Sequence, residues 1–134
     1  MSEESRYERG TRVRREVLGD AHVDRAIAAT NDFDAPFQRF ITETAWGTVW
    51  AGKQLDRRTR SLVTIAILAA LGREELALHF RASRNTGVSD KDIAEVLMHV
   101  AIYAGIPAAN HAFAQAKVEL NGEAPATAKS PRKR

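Results

Sequence analysis

Residues 62–71, Leu-Val-Thr-Ile-Ala-Ile-Leu-Ala-Ala-Leu, are apolar at every position except Thr64. Asp56 precedes the run as a helix cap and Gly72 follows it as a stop, so the stretch reads as the main part of one helix ending near Leu71. That helix is apolar around most of its circumference, so it must be enclosed on all sides, by its own domain or by a neighbouring subunit. Ten residues are too few to cross a bilayer.

The remaining patterns are helical as well. No sustained alternation of apolar and polar residues, bounded by turn residues, supports a strand. The spacing predicts helices over 6–18, 23–31 and 34–50, the third capped by Asp34 with Pro36 in its first turn. Beyond the apolar helix of 56–71, further helices are expected over 73–85, 89–104 and 107–121. Gly87 serves as a left-handed stop, and Ser89 with Asp92 forms a capping box. The expectation is an all-α, single-domain helical bundle of about seven helices, in which 56–71 pairs with 73–85 and 89–104 with 107–121 as antiparallel hairpins.

The chain has 134 residues and a formal charge of +3. From Glu123 onward, Lys129, Arg132, Lys133 and Arg134 face a single acid, which accounts for all of that excess. Residues 1–122 are therefore expected to form the folded domain and 123–134 a disordered basic tail. The body has no net basic footprint, so no nucleic-acid partner is expected. The acidic, polar start, Met-Ser-Glu-Glu-Ser-Arg, lacks a signal-peptide core, and a cytoplasmic protein without a membrane partner is expected. The absence of cysteine removes disulfides, thiolate metal sites and thiol redox chemistry.

Chemistry is left to a few residues. Glu75 precedes His79 by four positions, and Glu95 precedes His99 by four, so each acid shares a helix face with its imidazole. A carboxylate there holds one tautomer and favours the protonated ring, which makes the His a usable proton donor near neutral pH. His79 is flanked by Leu76, Leu78 and Phe80; His99 follows Leu97 and Met98 and reads equally as a hydrogen-bonded core residue. Together the two pairs could instead hold a metal ion between facing helices. Trp46 and Trp50 flank Gly47: Trp46 either fills core or walls an apolar pocket with its indole N–H as donor. Arg60 leads into the apolar run, where a buried guanidinium needs an anion, either an internal acid or a substrate carboxylate.

Several ordered blocks carry a resemblance: Arg14-Arg-Glu-Val-Leu-Gly-Asp-Ala-His-Val-Asp24, Trp46-Gly-Thr-Val-Trp50, Leu55-Asp-Arg-Arg-Thr-Arg-Ser-Leu62, Glu75-Leu-Ala-Leu-His79, Asn85-Thr-Gly87, Glu95-Val-Leu-Met-His99 and Tyr103-Ala-Gly-Ile-Pro107. Through them the chain resembles the carboxymuconolactone decarboxylase family, within the alkyl-hydroperoxidase-D-like superfamily. In the redox branch of that superfamily a Cys-x-x-Cys precedes a His; here Gly72 and Glu75 stand at the cysteine positions and His79 keeps the His, which favours the decarboxylase branch.

The resemblance implies the alkyl-hydroperoxidase-D-like helical fold and a trimer-based homo-oligomer, up to a hexamer. It also implies cofactor-free and metal-free decarboxylation of 4-carboxymuconolactone to 3-oxoadipate enol-lactone in the protocatechuate branch of the β-ketoadipate pathway. On that basis His79 and Glu75 are the expected catalytic residues, and Arg60, Trp46 and His99 the expected substrate-binding ones. A paralogous lyase acting on another lactone or β-keto acid, and a non-catalytic binding module tethered by the basic tail, are the alternatives.

Overall fold

The computed structural model describes residues 3–121; the basic tail of 123–134 and the stop expected at Gly122 lie outside them. Among the described residues there are seven α-helices and no strand, as the periodicity predicts. The chain divides between Arg60 and Ser61 into two compact units.

In the first unit, α1 (Arg6–Leu18) opens on a capping box. The Ser5 hydroxyl accepts from the Glu8 N–H at 3.0 Å, and the Ser5 N–H donates to Glu8 Oε1 at 2.9 Å. Each bond satisfies an N–H at the helix start that would otherwise lack a partner. α2 (Asp20–Ala29) begins three residues before the expected start. The physical reason is Gly19, whose φ of 92° turns the chain within one residue, so no connecting loop is needed. Arg15 then ties the two helices, reaching Asp20 at 3.0 Å and Asp24 at 2.9 Å.

Asp34 does not cap α3 (Ala35–Ile41) with its side chain. Its carboxylate turns back to accept from the Asn31 N–H at 2.9 Å, stabilising the preceding turn instead. Past Ile41 the helix widens into a π-helical segment, Thr42–Val49, closed by the Trp50 N–H donating to the Ala45 carbonyl at 2.8 Å. The sequence pattern predicts only a helix reaching Trp50. The widening coincides with the crossing of α1 against this segment. At Gly10 and Gly47 the two backbones approach so closely that a Cβ on Gly10 would lie 2.0 Å from the Thr42 carbonyl oxygen. Wide turns of this kind recur at functional sites.

α4 (Arg57–Leu71) starts where expected, with Asp56 Oδ1 accepting from the Thr59 N–H at 2.8 Å. The second unit contains the rest of α4 with α5 (Leu76–Thr86), α6 (Asp90–Tyr103) and α7 (Ile106–Asn121). Gly87 ends α5 at φ 80°, and Ser89 and Asp92 form the expected capping box on α6. α6 and α7 pack as the expected hairpin. α5 packs on α7, held also by Arg81–Glu119 at 2.7 Å, and the expected pairing of α5 with α4 is not among the close helix contacts. The turn through Gly72, where the Arg73 N–H reaches back to the Leu68 carbonyl at 3.0 Å, delays α5 to Leu76 and sets its direction.

The core of this unit joins Ile65, Leu76, Phe80, Ile93, Leu97 and the small residues Ala109 and Ala112 of α7. Burial of each large side chain contributes about 1.5–3 kcal/mol. The unit covers only one side of α4: Ser61, Ile65 and Ala69 are buried, while Val63, Ile67 and Leu71 are exposed. No helix among the described residues is long and apolar enough to cross a membrane.

Candidate active site

Glu75 and His79 stand one turn apart at the start of α5. Glu75 is the residue just before the helix, and its carbonyl accepts the His79 N–H at 3.2 Å. The Glu75 side chain faces solvent. His79 is only 8% exposed, between Leu76 and Phe80, which are completely buried. This imidazole therefore sits in surroundings where a proton transfer is shielded from bulk water, with an acid one turn away at the surface.

His99 is not a core residue. It lies exposed on α6, stacked on Tyr103 with ring centroids 6.1 Å apart. The helical repeat leaves its side of α6 undecided, and Ile93, Leu97 and Val100 take the buried face. With Glu95, Asp92 and the α4 residues Leu62, Val63 and Ala66, His99 lines a shallow groove of about 440 Å³. The two Glu–His pairs do not assemble a metal centre: among the described residues no three His, Asp or Glu side chains converge on one point.

Arg60 and Trp46 belong to the first unit. Arg60 folds back over the loop before α4. Its Nε donates to the Leu55 carbonyl at 3.1 Å, and a Cβ on Gly52 would stand 2.7 Å from its Nη2. A backbone carbonyl thus holds part of this guanidinium. Trp46 is buried and stacks on Trp50 at 5.2 Å, which makes it a core residue of the π-helical segment.

Trp46 lines neither of two cavities that open among the described residues of this unit. One is a broad basic groove of about 840 Å³ with Arg6, Arg9, Arg12, Lys53 and Arg57. Its cations are largely engaged: Arg12 with Glu4 at 2.9 Å, Arg57 with Glu16 at 3.1 Å, and Arg9 Nε with the Gly47 carbonyl at 3.0 Å. The other holds about 400 Å³ between α1, α2 and α3 and is lined by Arg14 and Arg39 with Tyr7, Gln38 and apolar Val23 and Ile27. Sequence reasoning missed Arg14. The available signal was its position: Arg15, one residue on and about 100° around the helix, takes both acids of α2, and Arg14 faces away from them.

Comparison with known proteins follows the same line. Residues 35–118 match the model of the carboxymuconolactone decarboxylase family. A 4-carboxymuconolactone decarboxylase of Acinetobacter baylyi is 51% identical over 118 residues, covering 87% of this chain and 88% of the relative. A nitrosuccinic acid decarboxylase of Metarhizium robertsii is 38% identical over 118 residues, covering 86% of this chain and 81% of that protein. A 4-carboxymuconolactone decarboxylase of Pseudomonas putida is 55% identical over 47 residues, which are 35% of this chain and 98% of the relative.

Proposed function

The chain belongs to the carboxymuconolactone decarboxylase family, and from that premise we propose that it converts 4-carboxymuconolactone to 3-oxoadipate enol-lactone and CO2, in the protocatechuate branch of the β-ketoadipate pathway. The observation that carries this reading is the 51% identity spanning nearly the full length of both chains with a relative of that activity. The second relative, named for a different acid, supports the runner-up, a lyase of the same scaffold with another substrate. Following loss of the lactone in the ultraviolet tests the first: it requires stoichiometric CO2 release from 4-carboxymuconolactone, and no release from it overturns that reading.

The chemistry places modest demands on the protein. As the C–C bond to the departing carboxylate breaks, its electron pair moves through the ring double bond into the lactone carbonyl. CO2 leaves and an oxyfuran dienolate remains. Protonation at the α carbon returns the electron pair from oxygen and restores the lactone carbonyl. The substrate is its own electron sink, so no pyridoxal, thiamine or metal is required. Turnover is therefore expected to survive exhaustive dialysis against a chelator unchanged; activity restored only by an added ion would overturn this part of the reading.

In this proposal His79 donates the proton and Glu75, one turn earlier, orients it. Arg60, whose Nε is held by the Leu55 carbonyl, is the cation that holds a substrate carboxylate. Trp46 supports that region by packing, and His99 is a secondary substrate contact. The burial of His79 among apolar side chains supports its role, because a donor shielded from water delivers its proton to the bound dienolate.

We also propose a cytoplasmic homo-oligomer built on trimers, up to a hexamer. Val63, Ile67 and Leu71 form an exposed apolar stripe on α4, and Met98 and Ile102 are exposed on α6. Solvent contact at so many large apolar side chains is relieved by a second copy. Sedimentation at micromolar concentration is expected to show a species well above the 14.8 kDa of one chain, shifting toward the monomer in Ile67→Glu. A single 14.8 kDa species for the unaltered protein would contradict assembly.

A further inference from the structure

Among the described residues Arg14 is a half-buried cation with no ion-pair partner. Its Nε is buried with no hydrogen-bond partner among the described residues, and its Nη1 reaches only the Gln38 side-chain oxygen, at 3.4 Å. Arg12 and Arg15 of the same helix each meet two carboxylates. Desolvation without a compensating anion is costly for a guanidinium, and it holds the Arg14 pKa below its ordinary value while leaving it charged. What lies beside Arg14 is the cavity of about 400 Å³, within the size range of small-ligand sites (roughly 300–1,000 Å³).

The lining specifies the ligand. Among the described residues no Asp or Glu lines the cavity. Thr11, Thr30 and Thr42 commit their hydroxyl protons to the carbonyls of Tyr7, Ala26 and Gln38. The donors that remain belong to the Arg14 and Arg39 guanidiniums, with the Tyr7 hydroxyl and the Gln38 amide beside them. Arg39 is positioned over the Tyr7 ring, 4.5 Å from its centroid, and pairs with Glu43, which is not among the lining residues, at 3.4 Å. Two guanidiniums without a lining acid, set against the apolar wall of Val23 and Ile27, match a short carbon chain bearing two carboxylates.

We propose that this cavity is a binding site for a small dicarboxylate, in which Arg14 turns its Nε–Nη2 edge to one carboxylate and Arg39 takes the other. The cavity stands on its own geometry. That the occupant is the lactone, itself a dicarboxylate, rests on the decarboxylase reading and puts Arg14 and Arg39 in place of Arg60 as the groups that hold its carboxylates; a separate dicarboxylate effector, with Arg60 keeping that role, is the other source of the same chemistry.

The test uses the full chain, with succinate as probe in calorimetric titration. Arg14→Met keeps the volume of the side chain and removes the charge. It is expected to weaken succinate binding at least about tenfold, the loss of a bidentate charge-assisted pair, while the melting temperature stays level or rises because an unpaired cation has left the interior. Arg14→Lys keeps the charge but not the fork, and is also expected to bind more weakly. Equal succinate affinity in wild type and Arg14→Met, or no binding to wild type at tens of millimolar, overturns the proposal. Turnover identifies the source. Competitive inhibition by succinate, with a raised KM in Arg14→Met, supports the lactone as occupant; weaker succinate binding with KM unchanged supports an effector. If the lactone is not turned over by the unaltered protein, the decarboxylase reading falls, and the titration still decides the cavity.

Discussion

His79→Gln is expected to lower kcat by about 10²–10⁴-fold, the usual range for removing a positioned acid–base group, with little change in KM. Glutamine fills a similar space and keeps a hydrogen-bonding head, so the buried position between Leu76 and Phe80 stays filled. What it cannot do is deliver a proton at neutral pH. Decarboxylation then stalls at the dienolate, which must take its proton from water. A purely structural role predicts something different: a lower melting temperature with kcat reduced only in proportion to unfolded protein. The pH profile separates the two. If the imidazole is the donor, the wild-type pH–rate profile carries a limb that the variant loses. A wild-type rate in His79→Gln removes this residue from the mechanism. Glu75→Gln should act in the same direction but less, because the role proposed for Glu75 is to orient the donor, and its loss leaves the proton in place.

Gly10→Ala is expected to destabilise the protein by about 3 kcal/mol, the upper end of the cost of overpacking. For a chain of this size that lowers the melting temperature by roughly 10 °C. Local reasoning gives the opposite sign, because Gly10 lies inside α1 and alanine is favoured there by about 1 kcal/mol. The tertiary contact outweighs the propensity. The added Cβ would sit 2.0 Å from the Thr42 carbonyl oxygen and 3.1 Å from the Gly47 nitrogen, and both are backbone atoms that cannot swing aside. α1 must move away from the π-helical segment, and the bond from Arg9 Nε to the Gly47 carbonyl is pulled with it. Gly47 is locked the same way, its Cβ position 2.4 Å from the Arg6 carbonyl oxygen. A melting temperature equal to wild type would show that this crossing is looser than described.

Helix type and most helix ends were legible because their signals are local. Ser89 with Asp92, Asp56 with Thr59, and Gly87 act within four residues of the backbone groups they satisfy. The Glu75–His79 spacing is equally local. The errors lie where a distant partner decides. Asp34 had a nearer use in the turn it closes than at the helix start. α5 lies on α7 because a short connection fixes proximity in the chain and leaves direction to the packing of Leu76 and Phe80. His99 read equally as core, since a repeat of apolar residues does not say how wide the buried face of α6 is.

The order of residues by itself determined the helices of the described residues, most of their caps, the want of thiol chemistry and two acid–imidazole spacings, since each is legible within a few neighbouring residues. Tertiary structure alone decided that α1 crosses a widened helix at two glycines, that α4 keeps an uncovered apolar stripe, and that Arg14 faces a cavity without an acid. These depend on which surfaces meet across dozens of residues, and close packing, which is short-ranged and steep, leaves no periodic trace in the sequence.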